Sequence, residues 1–140
     1  MTAAYTRELL RLAAAGAARV RLAAPTHSAT RRTQSCGSVI TLDLDLDENG
    51  RVCAVGYDIH ACAFGQAAAE LFADGAIGRD REQLQLAREQ WRGWLADAGD
   101  APAWPGAEQL AAAVALPGRQ GAVLLPFDAA LDALADGSAQ

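Results

Sequence analysis

Residues 39 to 62 read VITLDLDLDENGRVCAVGYDIHAC and contain two runs in which apolar and polar residues alternate. This period of two predicts strands buried on one face, and the Asn49-Gly50 between them is typical of a two-residue hairpin turn. With that turn, the apolar residues of both runs share one face, and a slip of one residue would oppose apolar to polar side chains. The predicted pairs are Leu46 with Cys53, Leu44 with Val55, Leu42 with Tyr57 and Ile40 with Ile59.

Helical patterns flank this hairpin on both sides. Residues 24 to 37 are polar and are expected to form a loop, and Asp80 with Gln83 predicts a capping box at the start of a helix. The acidic residues of the first run, including Asp43, are expected on the solvated face of the hairpin. We therefore predict an α+β fold, a small antiparallel β-sheet packed on one face by helices. Helices are predicted over residues 3 to 18, from residue 62 to an end near Gly75 or Gly78, and from an N-cap at Asp80 to a loop over residues 99 to 105. A short helix over residues 107 to 114 and a last one with Phe127, Leu131 and Leu134 follow.

The composition restricts the class of protein. Of 140 residues, 51% are hydrophobic and 21% are charged, which indicates one folded domain over residues 1 to 140 rather than a disordered chain. No apolar run reaches the roughly 20 residues of a membrane-spanning helix, and Arg7, Glu8 and Arg11 interrupt any secretory signal, so a cytoplasmic location is expected. The net charge of -5, without a basic stripe, argues against nucleic-acid binding. Three cysteines favour reduced thiols over a disulfide scaffold.

The hairpin register brings two cysteines that are distant in sequence to one end of the sheet. Extending the pairing places Gly37 opposite Cys62, so Cys36 and Cys62 are expected close together. Cys62 opens a helix, whose backbone N–H groups favour a thiolate, and Arg31 and Arg32 could lower the pKa of Cys36. Thiolates are the ligands that soft metals and iron-sulfur clusters prefer, so the pair is a candidate metal site.

Alternatives remain open for each of these residues. Cys36 and Cys62 could be small buried hydrophobic residues, and Cys53, in phase with the apolar positions, is expected in the core. His60 lies two residues before Cys62 and could be a third metal ligand, although a single histidine at a strand end is more often solvated. No nucleophile elbow, zinc-protease motif, P-loop or dinucleotide fingerprint occurs, so no enzymatic activity is predicted.

The order of motifs along the chain resembles the IscU/NifU-type iron-sulfur cluster assembly scaffold family. The similarity covers most of the chain, from an opening helix with Tyr5 to a closing segment before Leu125. Its motifs are Ser35-Cys36-Gly37-Ser38, Asp47-Glu48-Asn49-Gly50 between two strands, His60-Ala61-Cys62-Ala63 before a long helix, and Pro117-x-Arg119.

The resemblance implies a fold and a function. Such proteins assemble a [2Fe-2S] cluster on their thiolates, here Cys36 and Cys62, and many hold zinc in the same site when iron is absent. Sulfur comes from a pyridoxal-phosphate cysteine desulfurase, and the finished cluster passes to acceptor proteins. The resemblance therefore implies a cytoplasmic or organelle-matrix binding platform without turnover of its own.

This chain lacks two residues of the family pattern. Ser38 replaces the aspartate that follows the first cysteine by two positions, and the third cysteine of the family aligns with Ala122. Because a tetrahedral metal needs four donors, His60, an exogenous thiol or a second subunit in a homodimer would have to complete the set. Two other hypotheses are a ligand-depleted homologue that acts as an interaction or regulatory partner of the desulfurase machinery, and a carrier of persulfide sulfur on Cys36 or Cys62.

Overall fold

The computed structural model of the protein describes residues 6 to 34 and 37 to 137, with side chains as far as residue 135. Its elements are α1 (Arg7–Ala18), β1 (His27–Arg32), β2 (Val39–Leu46), β3 (Val52–His60), α2 (Ala63–Ala76), α3 (Arg81–Leu95), a 3₁₀ helix (Ala107–Ala115) and α4 (Pro117–Gly137). The three strands form one antiparallel sheet in the order β1-β2-β3, which confirms the predicted α+β fold. Within the described residues, no helix is both long and apolar enough to cross a membrane.

Strand β1 occupies a segment for which a loop was expected. It pairs with β2 from His27 opposite Leu44 to Arg32 opposite Val39. Its side chains alternate between half-buried and exposed, but Ala29 is the one apolar residue in the strand, so hydrophobic alternation does not mark it. The prediction of a loop over residues 24 to 37 was therefore wrong for residues 27 to 32.

The body of the β2–β3 hairpin has the predicted register. Ile40 pairs with Ile59, Leu42 with Tyr57 and Leu44 with Val55. Ile40, Leu42, Leu44 and Tyr57 are fully buried, so the alternation identified the core face correctly. The register follows from burial, because a shift of one residue would expose this whole set.

The tip of the hairpin differs from the prediction. Gly50 has φ of 77° and Asn49 does not have positive φ, and the Gly50 N–H donates to the Asp47 carbonyl at 3.0 Å. This pattern belongs to a three-residue loop with a left-handed glycine, not to the two-residue turn, in which both central residues need positive φ. The carboxylate of Asp47 accepts from the N–H groups of Asn49 and Arg51 and thereby stabilises the longer loop.

A β-bulge compensates for the extra loop residue. Leu46 pairs with Val52, Asp45 pairs with Ala54, and Cys53 between them is left without a partner residue in β2. Val52 is therefore buried and Cys53 is exposed, so the prediction of Cys53 as a core residue was wrong. The physical reason is that the bulge buries the larger apolar side chain, that of Val52, and turns the thiol outward.

The helices cover the apolar face of the sheet. Helix α4 contacts β1 and β2, α2 contacts β3, and α1 packs against α2. The predicted capping box is confirmed, because Asp80 accepts from the Gln83 N–H and the Gln83 side chain accepts from the Asp80 N–H, both at 2.9 Å. The largest fully buried side chains are those of Trp91, Tyr57, Phe64, Phe72 and Phe127.

The opposite face of the sheet is partly covered by the segment that follows α1. A Cβ atom on Gly56 would lie 2.6 Å from the Leu22 nitrogen, so only glycine permits this close approach. Arg21 Nε and Nη2 donate to Asp43 at 3.0 and 2.9 Å, and Ser28 and the Leu22 N–H donate to the same carboxylate. Asp43 is buried rather than solvated, which corrects the prediction for this residue.

Candidate metal centre

The end of the sheet at which β2 begins and β3 ends carries the predicted site. Val39, the first residue of β2, pairs with His60, the last residue of β3. Continuing this antiparallel pairing outward places Ser38 beside Ala61 and Gly37 beside Cys62. Cys36 lies outside the described residues, so the expected proximity of its sulfur to that of Cys62 remains a prediction.

The segment containing Cys36 is held at both ends by hydrogen bonds between Thr33 and Ser38. The Thr33 N–H donates to the Ser38 carbonyl at 2.9 Å, and the Ser38 N–H donates to Thr33 Oγ1 at 3.0 Å. Ser38, at the position where the family has aspartate, is only 3% exposed. The two ends of the loop between β1 and β2 are therefore held to each other.

Cys62 is positioned by the junction between β3 and α2. It is the N-cap residue of α2, in extended conformation, and its side chain accepts no capping hydrogen bond. Its carbonyl accepts from the Gln66 N–H at 3.0 Å, which begins the helix. The thiol is half-buried and packs against the edge of the hydrophobic core. A thiol at a helix N-terminus, partly accessible and without a capping role, is a suitable metal ligand.

His60 lies at the same end of the sheet but is more exposed. Its side chain is 75% exposed, and Nε2 lies 3.3 Å from Oδ2 of Asp58, two residues earlier on the same strand. A carboxylate in this position can hold an imidazole in one orientation and leave the other ring nitrogen available. Within residues 6 to 34 and 37 to 137, His, Cys, Asp and Glu side chains form no group of three that could hold a metal ion.

Ala122, where the family has its third cysteine, lies close to this end of α2. It is fully buried in α4. A Cβ atom on Gly65, one turn after Cys62, would lie 3.2 Å from the Ala122 Cβ, so the two helices approach closely here. A cysteine at position 122 would therefore place its side chain between α4 and the first turn of α2.

A cavity of about 380 Å³ between the end of β1 and α4 was not predicted from the sequence. It is lined by Arg31, Arg32, Thr33, Gln34, Gly121, Leu125 and Asp128. The α4 residues recur at the spacing of one helix face, but their neighbours could not be identified because β1 was expected to be a loop. Arg31 is bound by Asp132 at 2.8 Å, and this hydrogen bond raises the pKa of Arg31 more than partial burial lowers it.

The protein was compared with known proteins by sequence and by structure, and only the structural comparison found similar proteins. No protein-family model matches the sequence, and no curated protein matches it. The N-terminal part of a nitrogen-fixing NifU-like protein from Brucella abortus has a similar structure, with a TM-score of 0.85 and 29% identity. The similarity covers 96% of this chain and 94% of that protein.

Two further solved structures share the fold. A putative iron-sulfur cluster assembly scaffold protein for the SUF system, from the thermophile Fervidobacterium islandicum AW-1, matches with a TM-score of 0.83 and 18% identity, over 93% of this chain and 96% of that one. A hypothetical protein matches with a TM-score of 0.74 and 20% identity, over 94% and 99% of the two chains. The motif resemblance is thus confirmed at the level of structure: the chain is similar, over nearly its whole length, to scaffold proteins of the IscU/NifU type.

Proposed function

We propose that this protein is an iron-sulfur cluster assembly scaffold or carrier that binds a [2Fe-2S] cluster or a metal ion through Cys36 and Cys62. The observation that carries the proposal is the pairing of Val39 with His60, because it sets the strand that follows Cys36 and the strand that precedes Cys62 side by side at one end of the sheet. The similar NifU-like and SUF-type scaffold proteins support the same function.

The chemistry of the donor set fits iron or zinc. Two thiolates are soft ligands suited to either metal, and the exposed imidazole of His60 is a plausible third donor. The contact between Asp58 and His60 supports this role, since metal-binding histidines commonly donate their second N–H to a carboxylate. An exogenous thiol or a second copy of the chain would supply the remaining donor.

The proposed partners are inferred from the proposed scaffold function. A cysteine desulfurase would deliver sulfur, and iron-sulfur acceptor proteins would take the finished cluster, as expected for an assembly scaffold. We further propose that residues 1 to 140 act as one scaffold domain without catalytic turnover, in the cytoplasm and without nucleic acid or membrane as partner. In a homodimer, the second copy of the chain would supply the remaining metal ligand.

The direct test is anaerobic reconstitution with ferrous iron and sulfide, followed by visible absorption and by elemental analysis for iron and zinc. The wild-type chain should acquire a cluster or metal, and Cys62→Ala should lose it. Cys53→Ala is the matched control. This substitution also removes a thiol, but Cys53 is exposed on the bulge at the other end of the hairpin. Equal binding by Cys62→Ala and wild type would refute the proposed ligand set.

A second function is favoured by the full burial of Ala122. With alanine packed at the position of the third cysteine, the chain could keep the fold but act as an interaction or regulatory partner of the desulfurase. A Cys36→Ala, Cys62→Ala double variant should then still capture the desulfurase, and the wild-type chain should hold no iron. Loss of capture in the double variant would exclude this function.

A further inference from the structure

The two edges of the β-sheet differ in how they are covered. At the β3 edge, the Tyr57 N–H donates to the Val20 carbonyl at 3.2 Å, and Val52 donates to Arg79 and accepts from Gly78. Strand β1 forms the other edge, and no segment except β2 makes a backbone hydrogen bond with it within the described residues. The unpaired N–H and C=O groups of such an edge can pair with another strand.

The hydrogen-bond pattern identifies the residues of β1 whose backbone faces outward. The Thr33 N–H donates to the Ser38 carbonyl opposite it, at 2.9 Å, so these two residues form a hydrogen-bonded pair. Hydrogen-bonded and non-hydrogen-bonded pairs alternate along an antiparallel ladder, so the odd-numbered residues of β1 bind β2. The N–H and C=O groups of Ser28, Thr30 and Arg32 therefore point away from β2.

Strand β3 gives the same result independently. Because the Tyr57 N–H points outward to Val20, Tyr57 and its partner Leu42 are a non-hydrogen-bonded pair. The backbone groups of Leu42 must then face β1, where its partner is Ala29. Ala29 is one of the odd-numbered residues, so both ends of the sheet agree on which residues of β1 face outward.

The side chains of β1 lie on the two faces of the sheet and leave its edge open. Thr30 Oγ1 lies 2.9 Å from Thr41 Oγ1 on the face opposite the helices, and Arg32 is in phase with Thr30. Arg31 points to the other face, where it binds Asp132 of α4 at 2.8 Å. The strand contains no proline, and its pairing with β2 has no bulge, so two common protections of an edge strand are missing.

The outward backbone groups of β1 are complementary to those of a second copy. In an antiparallel pairing centred on Thr30, Thr30 faces its own counterpart and Ser28 faces Arg32 of the other copy. All three outward residues then form hydrogen-bonded pairs, with about six backbone hydrogen bonds in total. Centring the pairing on Arg31 would oppose two like charges, and centring it on Ala29 would leave Arg32 beyond the end of the other β1.

The charges of the outer face favour the same pairing. It brings Arg32 of one copy to the end of the other copy's sheet where Asp45 lies, next to Thr26. The Asp45 carboxylate accepts from the Thr26 N–H at 2.9 Å but has no cation partner in the part of the chain that the structure describes. Arg32 is exposed and makes no ion pair there either. Opposite charges without partners are therefore brought to the same side of the contact.

We propose that β1 pairs with β1 of a second copy of the chain, antiparallel and centred on Thr30, and joins the two sheets into one. The contact is a short edge held by backbone hydrogen bonds with little apolar surface, so the dimer is weak and forms at high protein concentration. The two-fold axis places the Cys62 ends of the two sheets on opposite sides of the contact. A homodimer in which the second copy supplies a metal ligand would need another surface, and this inference does not rest on the metal site.

Amide exchange of the wild-type chain, followed by NMR together with sedimentation equilibrium, tests the proposed edge. In the monomer the N–H groups of Ser28, Thr30 and Arg32 face solvent, whereas those of Ala29 and Arg31 are protected by β2. Raising the protein concentration should slow exchange of the first three groups and leave the other two unchanged. A monomer at all concentrations up to about 1 mM would overturn the proposal, and so would a dimer in which the three outward groups gain no protection.

Thr30→Pro and Thr30→Ala are a matched pair of variants. Both lose the contact between the Thr30 and Thr41 hydroxyls, but only proline removes the outward N–H, which β2 does not use. Thr30→Pro should raise the dimer dissociation constant at least about tenfold, because two hydrogen bonds across the axis are lost. Thr30→Ala should stay close to the wild type, and equal constants for the two variants would contradict the proposal. Far-UV circular dichroism checks the fold, and if Thr30→Pro is unfolded, the exchange pattern of the wild type decides alone.

Discussion

Gly65 of α2 and Ala122 of α4 face each other so closely that a Cβ atom on Gly65 would lie 3.2 Å from the Ala122 Cβ. The same added atom would lie 2.7 Å from the Ala61 Cβ, so glycine is required where α2 begins beside α4. This contact connects the aligned position of the missing cysteine to the first turn after Cys62. It suggests that the ligand set could be restored by one substitution.

Ala122→Cys should increase metal retention. A third thiolate near Cys62 should slow the loss of zinc or cluster to a chelator by at least about tenfold, since even indirect partners of a metal site change affinity by that factor. The added sulfur occupies a fully buried position, so the metal-free variant should be less stable by about 1 to 3 kcal/mol. Ala122→Ser is the control of similar size. Equal chelator kinetics for the two variants would contradict the prediction.

Asp58→Asn should reduce metal affinity if His60 is a ligand. The substitution keeps the shape of the side chain but removes the carboxylate that lies 3.3 Å from His60 Nε2. We expect zinc affinity to fall by about tenfold, at the lower end of the effects seen for such orienting groups, because both side chains are exposed. Competition with a chromophoric chelator measures it. His60→Ala must weaken zinc binding at least as much, and a wild-type affinity in that variant would remove His60 from the ligand set.

Gly56→Ala and Gly93→Ala should have opposite effects on stability. At Gly56 a Cβ atom would meet the backbone of residues 20 to 22, with 2.6 Å to the nearest atom, and overpacking against backbone should cost about 3 kcal/mol. At Gly93, in helix α3, nothing lies within 4 Å of an added Cβ atom, and alanine should stabilise the helix by about 0.5 to 1 kcal/mol. Urea denaturation gives both values. Unchanged or increased stability in Gly56→Ala would show that the backbone of residues 20 to 22 does not lie tightly against Gly56, and a loss of stability in Gly93→Ala would contradict the second expectation.

Asp43→Asn should remove a stabilising effect that depends on pH. Burial alone would raise the pKa of the Asp43 carboxyl, but hydrogen bonds from Arg21, Ser28 and the Leu22 N–H outweigh it and hold the pKa below its usual value. The carboxylate therefore stabilises the fold above the unfolded-state value of about 3.9, and this stabilisation is lost as the pH falls through the lower folded-state pKa.

At pH 7 the substitution should lower the free energy of unfolding by about 1 to 3 kcal/mol, the cost of weakening hydrogen bonds to a buried charge. The difference from the wild type should shrink as the pH falls below about 4, where the unfolded-state carboxyl becomes protonated. Asp100→Asn, in the exposed loop after α3, is the control and should match the wild type at both pH values. A difference that stays constant between pH 7 and pH 3 would argue against an ionised Asp43.

Most of the hairpin could be predicted because burial on one face determines it. The pairs from Ile40 with Ile59 to Leu44 with Val55 follow from alternation alone. The tip could not be predicted in this way, because its geometry depends on φ at Asn49 and on the hydrogen bonds of Asp47, and neither appears in a hydrophobic pattern. The two-residue turn and the three-residue loop with a bulge give the same register beyond the tip.

Strand β1 and the burial of Asp43 were missed for a related reason. Both depend on long-range pairing, of β1 with β2 and of Arg21 with Asp43, between residues whose own local sequence is polar. The cavity beside α4 was missed with them, because one of its walls is the end of β1. For the site, the predicted pairing brings Val39 and His60 together at the end of the sheet before Cys62. The position of Cys36 and the ligand roles of Cys36, Cys62 and His60 stay predictions.

The bulge at Cys53 allows the length of the hairpin loop to change without changing the strand pairing at the other end of the sheet. One residue added or removed at the hairpin tip can be absorbed by losing or keeping the bulge, and the pairing from Asp45 with Ala54 onward is preserved. The eight residues from Cys53 to His60 span roughly 23 Å of strand, so such length variation stops well short of Cys62. Insertions, tags or epitope loops can therefore be placed at this tip without disturbing the geometry at the opposite edge.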